Sequence, residues 1–444
     1  MRIAVVALGK IGLPLAVQYA RKGHEVVGVD VDEAVVDAVN AGREPFPGEA
    51  RLGGYLAEEV ASGRLRATSS YAEAIPGARA VVVVVPLVVD AESRPDFARM
   101  DAATAALAAH VERGTLISYE TTLPVGTTRG RWRPMIERIS GLVEGRDFHL
   151  VFSPERVLTG RVFADLRAYP KLIGGLDEAG ARAGRTFYES VLDFDERPDL
   201  PRANGVWDMG CAEAAEMAKL AETTYRDVNI GLANQFARYA DRIGIDVERV
   251  IEACNSQPYS HIHRPGIAVG GHCIPVYPRL YLSTDPQASI VRAARAANAA
   301  MPAYAVSRAE EVLGGLSGLR VAVLGAAYRG GVKETAFSGV FDVVAELRAR
   351  GARVGVHDPL FSDEEIAALG WEPYRFGDEV DAVIVQADHD EYRRIGPLDL
   401  PGARLLVDGR RITDPGRWAG TARIVIGGGG EEDAPTPVFT NIDL

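Results

Sequence analysis

Apolar positions along the chain recur in two alternating rhythms. Arg2–Ala7 is a β-branched run, Ile11–Lys22 has helical spacing, and Glu25–Val29 is a second short apolar run. Val81–Val85 is five consecutive valines, a pattern expected of a strand buried on both faces. Thr115–Ser118 and His149–Phe152 repeat the theme. Strands separated by helical segments predict a doubly wound parallel sheet. From about residue 199 the texture changes. Cys211 to about Ile243 holds no proline, and Met217, Leu220, Ala221, Thr224, Val228 and Leu232 fall on one stripe at spacings of three and four, with Gly244 as a stop. Roughly thirty helical residues span ~45 Å, too long for an ordinary surface helix, and predict a spine between two lobes with room for a dimer seam. After Leu316 the alternation returns in Arg320–Leu324, a helix near Val340–Arg350, Arg353–His357, Ala382–Gln386 and Arg404–Val407. The chain therefore reads as α/β, two doubly wound domains joined by a long-helix central domain, with boundaries expected at 1–198, 199–300 and 301–444. Gly427 to Pro437, glycine-rich and then acidic, reads as a loose tail.

Composition narrows the class. Of the 444 residues, 47% are hydrophobic and 25% charged, an ordinary globular balance. A net charge of −12 leaves no broad basic footprint for nucleic acid. No apolar run approaches the ~20 residues that cross a bilayer, so no membrane partner is expected. Ile3–Leu8 is too short for a signal-peptide core, and Arg2 and Lys10 are poor flanks for one. Three cysteines, Cys211, Cys254 and Cys273, cannot make a disulfide framework at this size, so a cytoplasmic setting is expected. Five lysines stand against 44 arginines, so a lysine in an apolar setting draws notice.

At the first strand–helix junction the chain reads Ala7-Leu8-Gly9-Lys10-Ile11-Gly12. A dinucleotide fingerprint has glycine at all three positions, for a tight turn, close pyrophosphate approach and helix–strand packing. Here the first is Ala7. Asp30 ends the next strand, 18 residues past Gly12. A carboxylate there accepts hydrogen bonds from the ribose hydroxyls and repels a 2′-phosphate, which favours NAD over NADP. An ordinary βα turn rich in glycine is the competing interpretation. Cys273 lies in Val269-Gly270-Gly271-His272-Cys273-Ile274-Pro275. Glycines around a thiol suit a nucleophile, although most free cysteines are buried packing residues, the role expected of Cys211 and Cys254. No second cysteine or spaced histidine accompanies Cys273, so no metal is expected. Lys219 sits among Met217, Ala218, Leu220 and Ala221, where it either snorkels to solvent or pairs along the helix. Two loops follow strands directly, Tyr119 to Thr128 and Ser153 to Val157. Ligands of parallel sheets sit at strand carboxyl ends, and a glutamate there is either a general base or a helix-start charge.

Together these segments resemble the UDP-glucose/GDP-mannose dehydrogenase family, and within it the branch acting on UDP-N-acetylmannosamine and related amino sugars. The pieces are Gly9–Gly12, Thr121-Thr122-Leu123-Pro124, Ser153-Pro154-Glu155-Arg156-Val157-Leu158 and Ala215 through Glu222. To these add Tyr225-Arg226-Asp227-Val228-Asn229-Ile230, Val269 through Pro275, and Asp408-Gly409-Arg410-Arg411, all in family order. The resemblance implies two Rossmann-like domains, the first binding NAD and the last gripping the nucleotide diphosphate of a sugar substrate, with a homodimer formed through the central helices. It implies a four-electron oxidation of the primary alcohol of a UDP-linked sugar to the uronic acid through a thiohemiacetal and a thioester on Cys273. Lys219 would face the oxyanions and Glu155 would serve as base, with Thr122 as a further polar contact. For NAD it implies Gly9, Lys10, Ile11, Gly12 and Asp30, joined by Pro86 and Thr122. For the sugar nucleotide it implies Glu155, Arg156, Lys219, Arg226 and Asn229, then Arg264, Gly270, Arg329 and Arg410.

The departures matter as much. Four residues beyond the cysteine the family has aspartate where this chain has Tyr277, and four beyond the lysine it has asparagine where this chain has Thr223. The partner-subunit arginine of the family aligns with Tyr259, with Arg264 near enough to replace it. The C-terminal Lys-x4-Asp-x-Arg-x-Ser pattern becomes Arg329, Glu334, Ala336 and Ser338. These changes keep open two alternatives, a single two-electron oxidation and a non-catalytic sugar-nucleotide-binding protein.

Overall fold

The structure is a computed structural model and describes residues 1–90 and 94–429. The chain divides into two compact units, Met1–Glu222 with Arg279–Thr284, and Thr223–Pro278 with the chain from Asp285 onward. In the first unit the strands are β1 (Arg2–Val6), β2 (Glu25–Val29), β3 (Leu65–Thr68) and β4 (Ala80–Val83), then a short hairpin of β5 (Val88–Val89) and β6 (Pro95–Asp96). β7 (Leu116–Tyr119), β8 (His149–Phe152), β9 (Lys171–Gly175) and β10 (Val206–Asp208) complete it. Eight of them form one sheet in the order β10-β9-β8-β7-β4-β1-β2-β3. Its run β3-β2-β1-β4-β7-β8 is parallel throughout and follows the Rossmann order. β9 turns antiparallel to β8, which the sequence pattern did not anticipate. β9 opens on a lysine and ends on two glycines, so it has no apolar signature. Both glycines are needed: a Cβ on Gly174 would lie 2.1 Å from the Cys211 carbonyl oxygen, and one on Gly175 2.4 Å from the Ala181 nitrogen.

The second unit holds β11 (Arg320–Leu324), β12 (Arg353–His357), β13 (Glu372–Pro373), β14 (Ala382–Val385), β15 (Leu405–Asp408) and β16 (Ala422–Val425). They form a fully parallel sheet, β13-β12-β11-β14-β15-β16, again the Rossmann order. Val321, Val323, Ile384, Leu405 and Val407 are buried in its core. The expected α/β architecture of two doubly wound lobes and a central helical segment is what the chain forms.

The long helix runs Ala212–Ile243, 32 residues. The single apolar stripe expected on it splits. Leu220 and Thr224 are buried, whereas Met217, Ala221 and Leu232 are exposed. Small residues, Ala215, Gly231, Ala233, Ala237 and Ala240, fill the buried face instead. The expectation of a loose tail from Gly427 also needs correction for its first residues. Asp241 accepts from the Gly427 nitrogen at 3.1 Å and the Gly429 nitrogen at 3.2 Å, and the Gly427 oxygen accepts from Val247 at 2.8 Å. The rest of that segment lies outside the described residues. No helix among the described residues is long and apolar enough to cross a membrane.

Candidate active site

In the first unit, five adjacent parallel strands deliver their carboxyl ends to one edge of the sheet. β2 ends at Asp30, β1 at the Ala7–Gly12 turn, β4 at Val84–Pro86, β7 at Glu120–Thr122 and β8 at Ser153–Arg156. Chain order thus converts five separated motifs into one row.

The turn after β1 opens the helix Gly12–Arg21. A Cβ on Gly12 would lie 1.9 Å from the Ala7 carbonyl oxygen, so only glycine fits. Gly9 faces open space, with nothing within 4 Å of where a Cβ would be. Ala7 takes φ of +75°, the left-handed region where the fingerprint has its first glycine. The helix has no side-chain cap at Ile11, leaving first-turn N–H groups for an anion. Asp30 is partly exposed and accepts from the Leu8 nitrogen at 2.7 Å, which ties the turn to the acid. Close backbone approach, an uncapped helix start and an open carboxylate fit a dinucleotide. Lys10 and Pro86 are exposed on the same row, and Ile11 is partly buried.

Glu155 is half-buried, and its carboxylate accepts from the Val157 backbone. Burial pushes its carboxyl up to about 7, against the opposing pull of Lys219. Lys219 itself is buried on the long helix, as is Thr122 after β7. Arg156 donates to Glu222 at 3.0 Å and to the Pro170 carbonyl at 3.4 Å.

Two further glutamates emerge that sequence reasoning left without a role. Glu216, one turn before Lys219, accepts from the Gly126 nitrogen at 2.5 Å, the Thr128 nitrogen at 2.9 Å and the Thr128 hydroxyl at 2.6 Å. It pins the end of the Tyr119–Thr128 loop to the long helix, and burial pushes its carboxyl up to about 7 despite those bonds. Glu120 is fully buried and pairs with Lys171 at 2.5 Å.

In the second unit, Cys273 is exposed on a loop seated against residues 328–338. A Cβ on Gly270 would lie 2.6 Å from that of Tyr328, and Gly271, at φ of +91°, donates to the Ala336 carbonyl at 2.9 Å. His272 lies 3.4 Å from Glu334, a pair when the imidazole is protonated. The segment that departs from the family pattern is therefore the one that carries the cysteine loop.

Arg410, expected at the substrate, donates to three backbone carbonyls: Gln386 at 2.6 Å, Ala268 at 3.2 Å and Tyr328 at 3.3 Å. Asn229 donates to the His261 carbonyl at 2.6 Å and accepts from the His263 nitrogen at 3.0 Å. Arg329 lies partly buried and donates to the Gly330 carbonyl at 3.3 Å. Arg226 is exposed on the long helix, and Arg264 is exposed and paired with Glu248 at 3.1 Å.

This is the layout of a dinucleotide-binding oxidoreductase with a second doubly wound lobe. The chain matches models of the UDP-glucose/GDP-mannose dehydrogenase family over the NAD binding domain (residues 1–192), the central domain (213–300) and the UDP binding domain (322–415). A UDP-N-acetyl-D-mannosamine dehydrogenase of Pyrococcus horikoshii is 34% identical over 93% of this chain and 96% of its own length. An NDP-N-acetyl-D-galactosaminuronic acid dehydrogenase of Ralstonia nicotianae is 31% identical over 94% and 96%. A solved UDP-D-ManNAc dehydrogenase from Pyrococcus horikoshii superposes with a TM-score of 0.84 at 32% identity, covering 96% of this chain and 99% of that one. The protein belongs to the UDP-glucose/GDP-mannose dehydrogenase family, a family of NAD-dependent nucleotide-sugar dehydrogenases, and carries its NAD binding domain.

Proposed function

We propose that this protein oxidises a nucleotide-diphosphate sugar, UDP-linked, at its primary alcohol to the uronic acid in two hydride-transfer steps. NAD, when bound, accepts each hydride. The observation that carries the reading is Glu155, whose carboxyl sits near 7 beside a buried lysine. A base poised there takes a proton at neutral pH and returns it. In the first step the alcohol loses its hydroxyl proton to a base and becomes an aldehyde. Cys273 as thiolate then adds to the aldehyde carbon, and the resulting oxyanion is protonated to a thiohemiacetal. Loss of the second hydride and the hydroxyl proton leaves a thioester. Glu155 deprotonates the water that attacks it, and Cys273 leaves as thiolate. The Lys219 ammonium stabilises the oxyanions on the way. Thr122 and Arg156 would position the sugar, while Arg226, Asn229, Arg264, Gly270, Arg329 and Arg410 would hold or shape the nucleotide site.

The domain roles follow the same reading: NAD in 1–198, dimerisation in 199–300 and the UDP moiety in 301–444. Support for a homodimer is the outward face of the long helix, where Met217, Tyr225, Leu232, Phe236 and Tyr239 are all exposed. Light scattering of the purified protein at micromolar concentration should give twice the chain mass; a monomer would refute the seam.

A second reading, one two-electron oxidation, is favoured by Tyr277 and Thr223 standing where the family has aspartate and asparagine. Tyr277 opens a helix and donates its backbone N–H to the Cys273 carbonyl at 2.9 Å. NADH formed per sugar consumed, across a panel of nucleotide sugars, separates the readings. Two equivalents support the acid, one supports the single oxidation, and none with any sugar refutes both and leaves a binding protein.

A further inference from the structure

Beneath the strand ends of the first unit lies a buried polar cluster that the reaction above does not use. The Glu120 carboxylate accepts from Lys171 at 2.5 Å, from the Tyr188 hydroxyl at 2.8 Å and from the Tyr19 hydroxyl at 3.2 Å. Glu120 is 0% exposed and Lys171 6%. Tyr188 in turn shares a 2.6 Å hydrogen bond with Ser118. The cluster reaches Glu155 through the backbone, because the Glu120 carbonyl accepts from the Glu155 nitrogen at 3.1 Å. The Glu120 backbone also begins the loop that bears Thr122. A buried ion pair is weak evidence for stability, since well-packed apolar residues often do as well. Two charges kept in the interior beside a reactive carboxyl call for another reason.

We propose that Lys171 and Glu120 form a charge-balancing positioning pair for Glu155, fixing its backbone through Glu120 and presenting it with two opposite charges that cancel. The inference rests on Glu155 being the base of the proposed reaction. Three charged groups act on its carboxyl: Lys219 from the long helix, Lys171 from β9 and Glu120 from the end of β7. The two lysines favour the carboxylate and Glu120 opposes it. Lys219 also serves the oxyanions, so it cannot be adjusted freely. The Lys171–Glu120 pair adds anchoring at little net charge, which leaves burial to hold the carboxyl near neutrality. With Lys171 alone the carboxylate would be too weak a base, and with Glu120 alone the carboxyl would stay protonated.

The pair makes a signed expectation that a packing role cannot mimic. Glu120→Gln keeps an acceptor for both tyrosines and leaves Lys171 as an unbalanced cation, so the acid limb of the kcat/KM profile should move to lower pH. Lys171→Met keeps the stem and leaves an unbalanced anion, so the limb should move to higher pH. Each shift should be on the order of one pH unit. The double variant should return close to the parent. Infrared difference titration of the protonated-carboxyl band, assigned by its loss in Glu155→Gln, reads the same group without turnover. Opposite shifts in that band support the pair. If the band shifts as expected while the rate profile does not, the pair stands and Glu155 is not the base. Shifts of the same sign in folded variants, or none, overturn the proposal.

Discussion

Replacing Glu155 by glutamine should stabilise the protein while disabling it, and the gain should depend on pH. Burial lifts the Glu155 carboxyl from an ordinary 4.5 to about 7. At about 1.4 kcal/mol per pH unit, that displacement costs the folded state roughly 3 kcal/mol once the group is ionised. Between those two values the folded protein holds a proton that the unfolded chain has released, so stability falls as pH rises through the window. Below it both states are protonated and the cost vanishes; above it the cost is fully present. Glutamine never ionises and still offers an oxygen to the Val157 N–H. Glu155→Gln should therefore match the parent near about pH 4.5 and exceed it by up to roughly 3 kcal/mol near about pH 8. For a unit of this size, 1 kcal/mol moves the midpoint by about 2–4 °C, so the gap should reach several degrees. Calorimetric melts of both proteins across that range give the answer, following the first unit's transition because a two-unit chain need not unfold in one step. A gap that stays constant with pH, or a variant less stable at the alkaline end, would refute the reading of Glu155 as a carboxyl raised by burial.

Three other perturbations probe the rest of the site. Gly12→Ala would put its methyl 1.9 Å from the Ala7 oxygen and should abolish NAD binding in a fluorescence titration, whereas Ala7→Gly, relieving φ of +75°, should bind NAD and gain up to about 1 kcal/mol in a urea melt. Cys273→Ser should leave a slow first hydride transfer and trap or release an intermediate, because a serine alkoxide forms far less readily than a thiolate; two full equivalents of NADH from that variant would sink the thiohemiacetal. Arg410→Lys loses the fork that reaches three carbonyls and should weaken nucleotide-sugar binding by calorimetry, with NAD affinity unchanged.

How far the sequence foretold this architecture depends on what each segment is made of. β8, β11 and β12 were readable residue by residue because their runs are apolar or β-branched and flanked by clear breaks. β9 and β16 escaped, the first by its lysine and glycines, the second by its arginine. The candidate site residues stood out in the sequence because they sit in short distinctive strings: Thr122 and Glu155 just after strands, Lys219 within the long helix and Cys273 in a glycine-flanked loop. Their supports were not. Glu120 and Lys171 are 51 residues apart, and Glu216 and Thr128 are 88 apart. No local spacing reveals such a partner; only the strand order does. The helix stripe misled for a related reason, since alanine and glycine pack a buried face without the bulk that a pattern search rewards.

The two lobes share one strand order, yet their second-strand acids sit in opposite environments. Asp30 directly follows β2, stays partly exposed and holds the Leu8 nitrogen of a turn that enters a helix at Gly12. Asp358 follows β12 at the equivalent place but is sealed, with 0% of its side chain exposed. It accepts from the Ala326 and Ala327 nitrogens at 2.9 Å each, from Leu360 at 2.9 Å and from His389 at 3.1 Å. Burial works to raise its carboxyl, yet those bonds outweigh it and hold the group below its usual range. A carboxylate so occupied has little left for a ribose. The chain after β11 does not enter a helix until Val340, and the intervening loop carries Tyr328 and Glu334 against the cysteine loop. In place of a dinucleotide turn the second lobe has a longer loop that packs against the Cys273 segment, and Asp358 staples the start of that loop to the sheet.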